Sequence, residues 1–162
     1  QVGTVYKAIE FEVDLPSKEL VDFWVADALA LPFKDQEILR CHSTNLIDCV
    51  ADPVQHLKEL SRIQNPLGYF SIATPYDWSP NATKYDNWIG GHTPMGSLNG
   101  SAEKTLSWYL SSESPYKNLQ DIEILKQVQT IPWNLRIHNR SIMHYQVHLI
   151  TARRTHGLPS PC

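Results

Sequence analysis

Short apolar runs and polar punctuation alternate along the chain in a way that separates strands from helices. Residues 4–13 are the first turn-free stretch, β-like in composition and closed by Asp14-Leu15-Pro16. Val21-Asp22-Phe23-Trp24-Val25 is β-branched and aromatic, which predicts a buried strand. A second strand is expected over residues 37–43, on Ile38, Leu39 and Cys41, and Asn45-Leu46-Ile47-Asp48 ends it. From Asp52 the period changes. Val54, Leu57, Leu60 and Ile63 recur at i, i+3, i+6 and i+9, one face of a helix that Asp52 caps and Pro53 opens. Asn65-Pro66-Leu67-Gly68 stops that helix, and residues 69–74 form an apolar run of the kind covered on both faces of a sheet.

Residues 75–100 make a long loop rich in Pro, Gly, Asn and Trp, and loops of that length in a small domain are commonly functional. Residues 101–112 read as a helix capped by Ser101, with Leu106, Tyr109 and Leu110 inward. Two long strands follow over residues 122–130 and 145–153, joined through Pro132-Trp133 and Asn139-Arg140. Strands alternating with helices predict an α/β sheet, mostly parallel and finished by an antiparallel C-terminal strand. Such sheets place ligands at the carboxyl ends of their strands. Residues 1–154 are expected to form one domain and residues 155–162 a disordered tail.

Composition narrows the possibilities. The chain has 162 residues, 42% hydrophobic and 19% charged, which is the make-up of one globular domain. Fourteen basic against seventeen acidic residues give a net charge of −3, so no nucleic-acid footprint is expected. No apolar run approaches the roughly 20 residues that span a bilayer, and no membrane partner is expected. Cys41, Cys49 and Cys162 are odd in number and lack CxxC spacing, which points to reduced thiols and a cytoplasmic setting. The chain begins at Gln1, without Met or a secretory leader, as a piece of a longer protein would. Its three Asn-x-Ser/Thr triplets, at Asn81, Asn99 and Asn139, are read as chance.

The candidate chemistry sits at three strand ends: Ala26-Asp27-Ala28, Ser43-Thr44-Asn45-Leu46, and Thr74-Pro75-Tyr76-Asp77-Trp78. A carboxylate just past a buried strand can accept a hydrogen bond from an exocyclic amine, and a neighbouring Ala leaves room for a flat ring. An adenine pocket needs both. The plainer reading is that Asp27 caps the turn that follows it.

These residues resemble a known family. Ala26-Asp27-Ala28-Leu29-Ala30-Leu31-Pro32-Phe33 is similar to the post-strand motif of S-adenosylmethionine-dependent methyltransferases, whose acidic residue contacts adenine. Asn45-Leu46-Ile47-Asp48 before Asp52-Pro53, and Gly68-Tyr69-Phe70-Ser71-Ile72-Ala73, look like the next two strand segments of that family. A finer resemblance runs through Pro75-Tyr76-Asp77-Trp78, Trp88-Ile89-Gly90-Gly91, and Ile131-Pro132-Trp133 leading by Arg140 to Arg153-Arg154. It is to the C-terminal methyltransferase domain of ovothiol biosynthesis proteins, which methylates a ring nitrogen of 4-mercaptohistidine, and it covers about residues 3–154. The resemblance implies a Rossmann-like methyltransferase sheet with S-adenosylmethionine as cofactor. It implies cofactor contacts from Asp27, Ala28, Asn45 and Leu46, catalytic roles for Tyr76 and Asp77, and an acceptor wall of Trp78, Tyr85 and Trp88. It also implies a small-molecule acceptor and fusion to an N-terminal iron-dependent sulfoxide synthase region.

One departure is plain. The family opens with a Gly-rich turn that lets the backbone approach the methionine end of the cofactor. No GxGxG occurs in this chain, so the first strand-helix-strand unit is missing from it, and Gly90-Gly91 lies too late to replace it. His138, His144 and His148 fall on the last strands, but Ile150 stands where a third metal ligand would be needed, so no metal is expected. Asp86 is a further acid beside the aromatic loop. Two readings follow: part of a methyltransferase acting on a small thiol-imidazole, expected to be inactive without the rest of a longer polypeptide, or a non-catalytic methyltransferase-like remnant serving as a structural or interaction domain.

Overall fold

The computed structural model describes residues 8, 10, 12, 13, 16–91 and 98–155. The expected β-like run at residues 4–13 and the expected tail at residues 156–162 lie largely or wholly outside them.

Among the described residues four strands and two α-helices follow in the order β1 (Ile38–Thr44), α1 (Pro53–Ile63), β2 (Gln64–Thr74), α2 (Ala102–Tyr109), β3 (Ile122–His138) and β4 (Ser141–Arg154). The sheet order is β1-β2-β4-β3. β1 and β2 are parallel, while β4 runs antiparallel to both of its neighbours. Parallel pairing is therefore confined to one of the three interfaces, fewer than the sequence suggested. The difference lies at residues 21–25, which form no strand. The segment is extended and exposed, with Phe23 at 88% and Trp24 at 63%. A strand forms only against a partner, and none of the described residues offers this segment one.

α1 obeys the signals read from the sequence. The Asp52 side chain accepts the Gln55 N–H at 2.9 Å, Pro53 takes the first turn, and Leu57, Leu60 and Ile63 are buried. Each such side chain contributes about 1.5–3 kcal/mol by leaving water. Leu57 and Leu60 pack with Phe70 and Ile72 of β2, Ile150 and Ala152 of β4, and Leu106 and Leu110 of the α2 region. Residues 65–68, expected as a loop, are absorbed into β2 as an irregularity in its pairing with β1. Gly68 makes this possible. A Cβ there would lie 1.9 Å from the Leu39 carbonyl oxygen, so the two backbones can touch only through glycine.

β3 and β4 are longer than expected and turn only at Asn139-Arg140. Pro132 sits within β3, where an edge strand tolerates its missing N–H. β3 also carries register shifts at Ile124/Lys126, Val128/Ile131 and Arg136/His138. β4 meets β2 only between His148 and Ala152. The hairpin therefore projects past the carboxyl end of β2, where Thr74 pairs with His148, and overhangs the rim where the candidate residues lie. Among the described residues no helix is long and apolar enough to cross a membrane.

Candidate functional site

The carboxyl ends of β1 and β2 lie side by side, with Thr44 paired to Ala73. Just past β1, Asn45 turns into the left-handed region (φ 51°) and its N–H donates to the Ala73 carbonyl at 2.7 Å. Just past β2, Tyr76 does the same (φ 57°), an uncommon conformation for a bulky residue and a mark of a constrained site. The Asp77 N–H donates to Asp48 Oδ2 at 2.8 Å and ties the two strand ends together.

The Ala26-Asp27-Ala28 turn reaches this rim through His56. The His56 Nδ1–H donates to the Ala28 carbonyl at 3.0 Å, which leaves Nε2 to accept the Ser43 hydroxyl at 2.8 Å. Burial pulls the His56 imidazole below its ordinary pKa, against the Ala28 carbonyl and the Glu59 carboxylate, so the ring stays neutral. Gln55, Glu59 and Arg62 of α1 hold the rest of this loop through Leu29, Leu31, Phe33 and Asp35. Asp27 itself is exposed and accepts the Leu29 N–H at 2.8 Å, a turn-capping contact that occupies one carboxylate oxygen. Leu46 is half-buried beside Asn45.

The aromatic loop packs on itself. Trp78 and Trp88 stack at 5.9 Å, and Tyr85 leans on Trp88 at 5.0 Å. The Trp88 indole N–H donates to the Thr83 carbonyl at 2.9 Å. Gly90 (φ 77°) brings the chain so close to Ala102 that a Cβ would lie 2.8 Å from its backbone. Trp78 and Tyr76 also touch the core, so packing and wall-building are done by the same rings. Asp86, in the Tyr85–Asn87 turn, is exposed.

Three side chains join the site that the sequence reading did not place there. The Tyr76 hydroxyl is 2.7 Å from His148 Nδ1, the Tyr145 hydroxyl donates to Asp77 Oδ2 at 2.7 Å, and Asp48 is buried beneath both strand ends. Burial, with the Glu103 and Asp48 carboxylates, pushes the Tyr76 phenol far above its ordinary value, so it acts as a neutral hydrogen-bonding group. Asp77 raises the Tyr145 phenol in the same way. Burial lowers His148 against the opposing pull of Glu103. Cys49 is also pushed up, by burial and by Asp48 and Asp77, and its thiol stays protonated.

Buried polar atoms without partners concentrate at this rim. Asn45 Oδ1, Asp48 Oδ1, Trp78 Nε1 and His148 Nε2 are all shielded from solvent and unpaired, and Asp48 and His148 are each only 2% exposed. Unpaired buried groups are costly and rare in folded proteins, so four near one strand end are a chemical signal. Two donor-acceptor pairs of this kind suit a small polar molecule rather than an apolar one. Two open clefts of about 490 and 500 Å³ lie elsewhere, and none of the sequence-predicted site residues lines either.

Comparison with known proteins bears on the fold. Residues 6–72 match the family model described as a methyltransferase domain. The structure is similar to an S-adenosylmethionine-dependent methyltransferase from Methanosarcina mazei, at 18% identity and a TM-score of 0.50, over 82% of this chain and 66% of that one. It is also similar to a structure described as conversion of a disulfide bond into a thioacetal group during echinomycin biosynthesis, at 16% identity and a TM-score of 0.52, over 85% and 57%. At such identities the likeness is one of fold, and the fold is the Rossmann-like methyltransferase one. The chain spans about two-thirds of the length of the first and 57% of the second. No curated protein matches it. The family match implies S-adenosylmethionine as the cofactor of this domain.

The residues present fit the adenine end of that cofactor. Asn45 offers an unpaired buried oxygen beside Leu46, and Asp27 keeps a second carboxylate oxygen free of its turn contact. No Gly-rich turn for the methionine end occurs in the sequence.

Proposed function

We propose that this chain is the acceptor-presenting part of an S-adenosylmethionine-dependent methyltransferase, and that its acceptor is a small thiol-imidazole methylated at a ring nitrogen. When bound, the cofactor supplies a methyl group on a sulfonium, an electrophile that needs alignment more than acid-base help. Asp27, Ala28, Asn45 and Leu46 would hold its adenine end. The observation that carries the reading is the group of unpaired polar atoms between the β1 end and the His148 face of β4. Trp78 Nε1 and His148 Nε2 can pair with the polar edge of a flat heteroaromatic ring, and the stacked Trp78, Trp88 and Tyr85 give that ring a wall.

Asp77 is fixed by Tyr145 and by its own N–H on Asp48, so its second oxygen can accept an acceptor N–H and leave the other ring nitrogen unprotonated to attack. Tyr76 orients His148 and takes no proton itself. Supply of the thiol-imidazole by an iron-dependent sulfoxide synthase region of the same polypeptide belongs to this reading, as does a cytoplasmic setting, in which Cys41 and Cys49 stand as free thiols.

The test is methyl transfer from labelled S-adenosylmethionine to 4-mercaptohistidine by a longer polypeptide that adds the Gly-rich unit to this chain, with calorimetry of cofactor binding alongside. Transfer to a ring nitrogen, with Asp77→Asn or Trp78→Ala raising the acceptor KM or lowering kcat while cofactor affinity stays within about twofold, is the expected result. Transfer only to other acceptors would overturn the imidazole assignment. Neither binding nor transfer would leave the non-catalytic reading in its place.

A further inference from the structure

At the opposite end of the sheet a second cleft, about 490 Å³, opens between the C-terminal half of α1, the loop before β1 and the Lys117–Leu119 turn. Its volume is that of a small-molecule site. Lys58, Arg62, Lys117 and Arg154 face Asp35 and Asp121 across it, with Glu59 paired to Arg62 behind, a balance of 4 − 3 = +1 in a chain whose net charge is −3.

The acids are already taken. Arg62 holds Asp35 at 2.9 Å and spends its remaining N–H groups on Glu59, Leu31 and Phe33. Arg154 grips Asp121 Oδ2 with two N–H groups, at 3.0 and 2.7 Å. The excess positive charge therefore resides on the two lysines. Lys58 rests its ammonium 5.1 Å from the centre of the Tyr116 ring, and neither Lys58 nor Lys117 has a carboxylate partner among the described residues. A second, independent feature belongs to a residue of the same lining. Asp121 Oδ1 is buried and unpaired although its sister oxygen is doubly bonded to Arg154.

We propose that this cleft binds a small dianion that also carries a hydroxyl group, the chemistry shared by a phosphorylated small alcohol and a hydroxy-dicarboxylate. The two negative charges meet Lys58 and Lys117, which attract them at close range, while Asp35 and Asp121 are each paired with an arginine. The hydroxyl donates to the Asp121 carboxylate, whose side chain is 25% exposed. The side-chain amides of Gln36 and Asn118, also on the lining, add neutral donors for further oxygens. Nothing in this site depends on the methyl-transfer chemistry at the other end of the sheet.

The experiment is calorimetric titration of this chain with glycerol 3-phosphate and, separately, with malate, each against sodium chloride at equal ionic strength. Saturable one-to-one binding of one or both is expected, and the arms show whether phosphate or dicarboxylate is preferred. Lys58→Ala with Lys117→Ala should weaken it at least tenfold, while Asp77→Asn at the far rim leaves it within twofold. Lys117 is exposed and Lys58 half-buried, and a melting curve of the double variant matching the parent establishes that the fold is kept. Absence of saturable binding by both ligands overturns the proposal. So does undiminished binding by the double lysine variant.

Discussion

His56 is the residue on which the candidate site turns, because it joins the Ala28 carbonyl to the Ser43 hydroxyl from the buried face of α1. Its pKa in the folded chain lies below the ordinary value of about 6.5. The unfolded chain therefore takes up the proton first as pH falls, and stability declines as pH drops below about 6.5 and is level above it. His148, lowered in the same direction, adds to the effect. Urea midpoints measured from pH 8 to pH 5 should show this decline, and His56→Asn should flatten it while lowering the midpoint at pH 8. A midpoint unchanged between pH 7 and pH 5 would show that neither imidazole is held neutral. The sequence did not reveal this role. A lone His on a helix that is otherwise read by its Leu and Ile positions carries no sign of which carbonyl it will meet. His148 was equally hidden, since a histidine in an alternating strand is read as core or surface until its neighbour Tyr76 is known.

At the level of elements, legibility followed whether the signal was local. α1 was readable because its cap, its Pro and its apolar period lie within a dozen residues, and β2 and the final hairpin were readable by their apolar runs. Residues 21–25 were misread for the opposite reason: the pattern reports a wish to be buried, while burial depends on a partner strand distant in sequence. The irregularity at residues 65–68 was hidden too, because a Gly that stops a helix and a Gly that lets two strands touch look alike. Gly68→Ala separates the two roles. With 1.9 Å available at the Leu39 carbonyl, the variant should lose about 1–3 kcal/mol or more of stability, read from denaturant unfolding, since the clash is with backbone. A loss of a few tenths would mean that β1 and β2 can slide apart there at little cost.

For the molecule as a whole, the segment before β1 is the exposed liability. Val21, Phe23, Trp24 and Val25 are all exposed, Trp24 with one face stacked on Phe33. Phe23→Ser with Trp24→Ser should reduce concentration-dependent association in light scattering and leave the melting temperature within a degree or two, because neither ring belongs to the core. An association unaffected by the pair would place the sticky surface elsewhere, for instance on Ile142 and Met143 near the hairpin tip.

The sheet also has two unlike borders. Pro132 and three register shifts interrupt β3, whereas β1 is short and carries one irregularity, in its pairing with β2 at Ile38/Arg40. Growth of this sheet therefore has a direction. An incoming strand finds fewer interruptions beside Arg40–Thr44 than beside Ile122–His138, so extension, whether by more of the same polypeptide or by another, is favoured on the β1 side over the hairpin side.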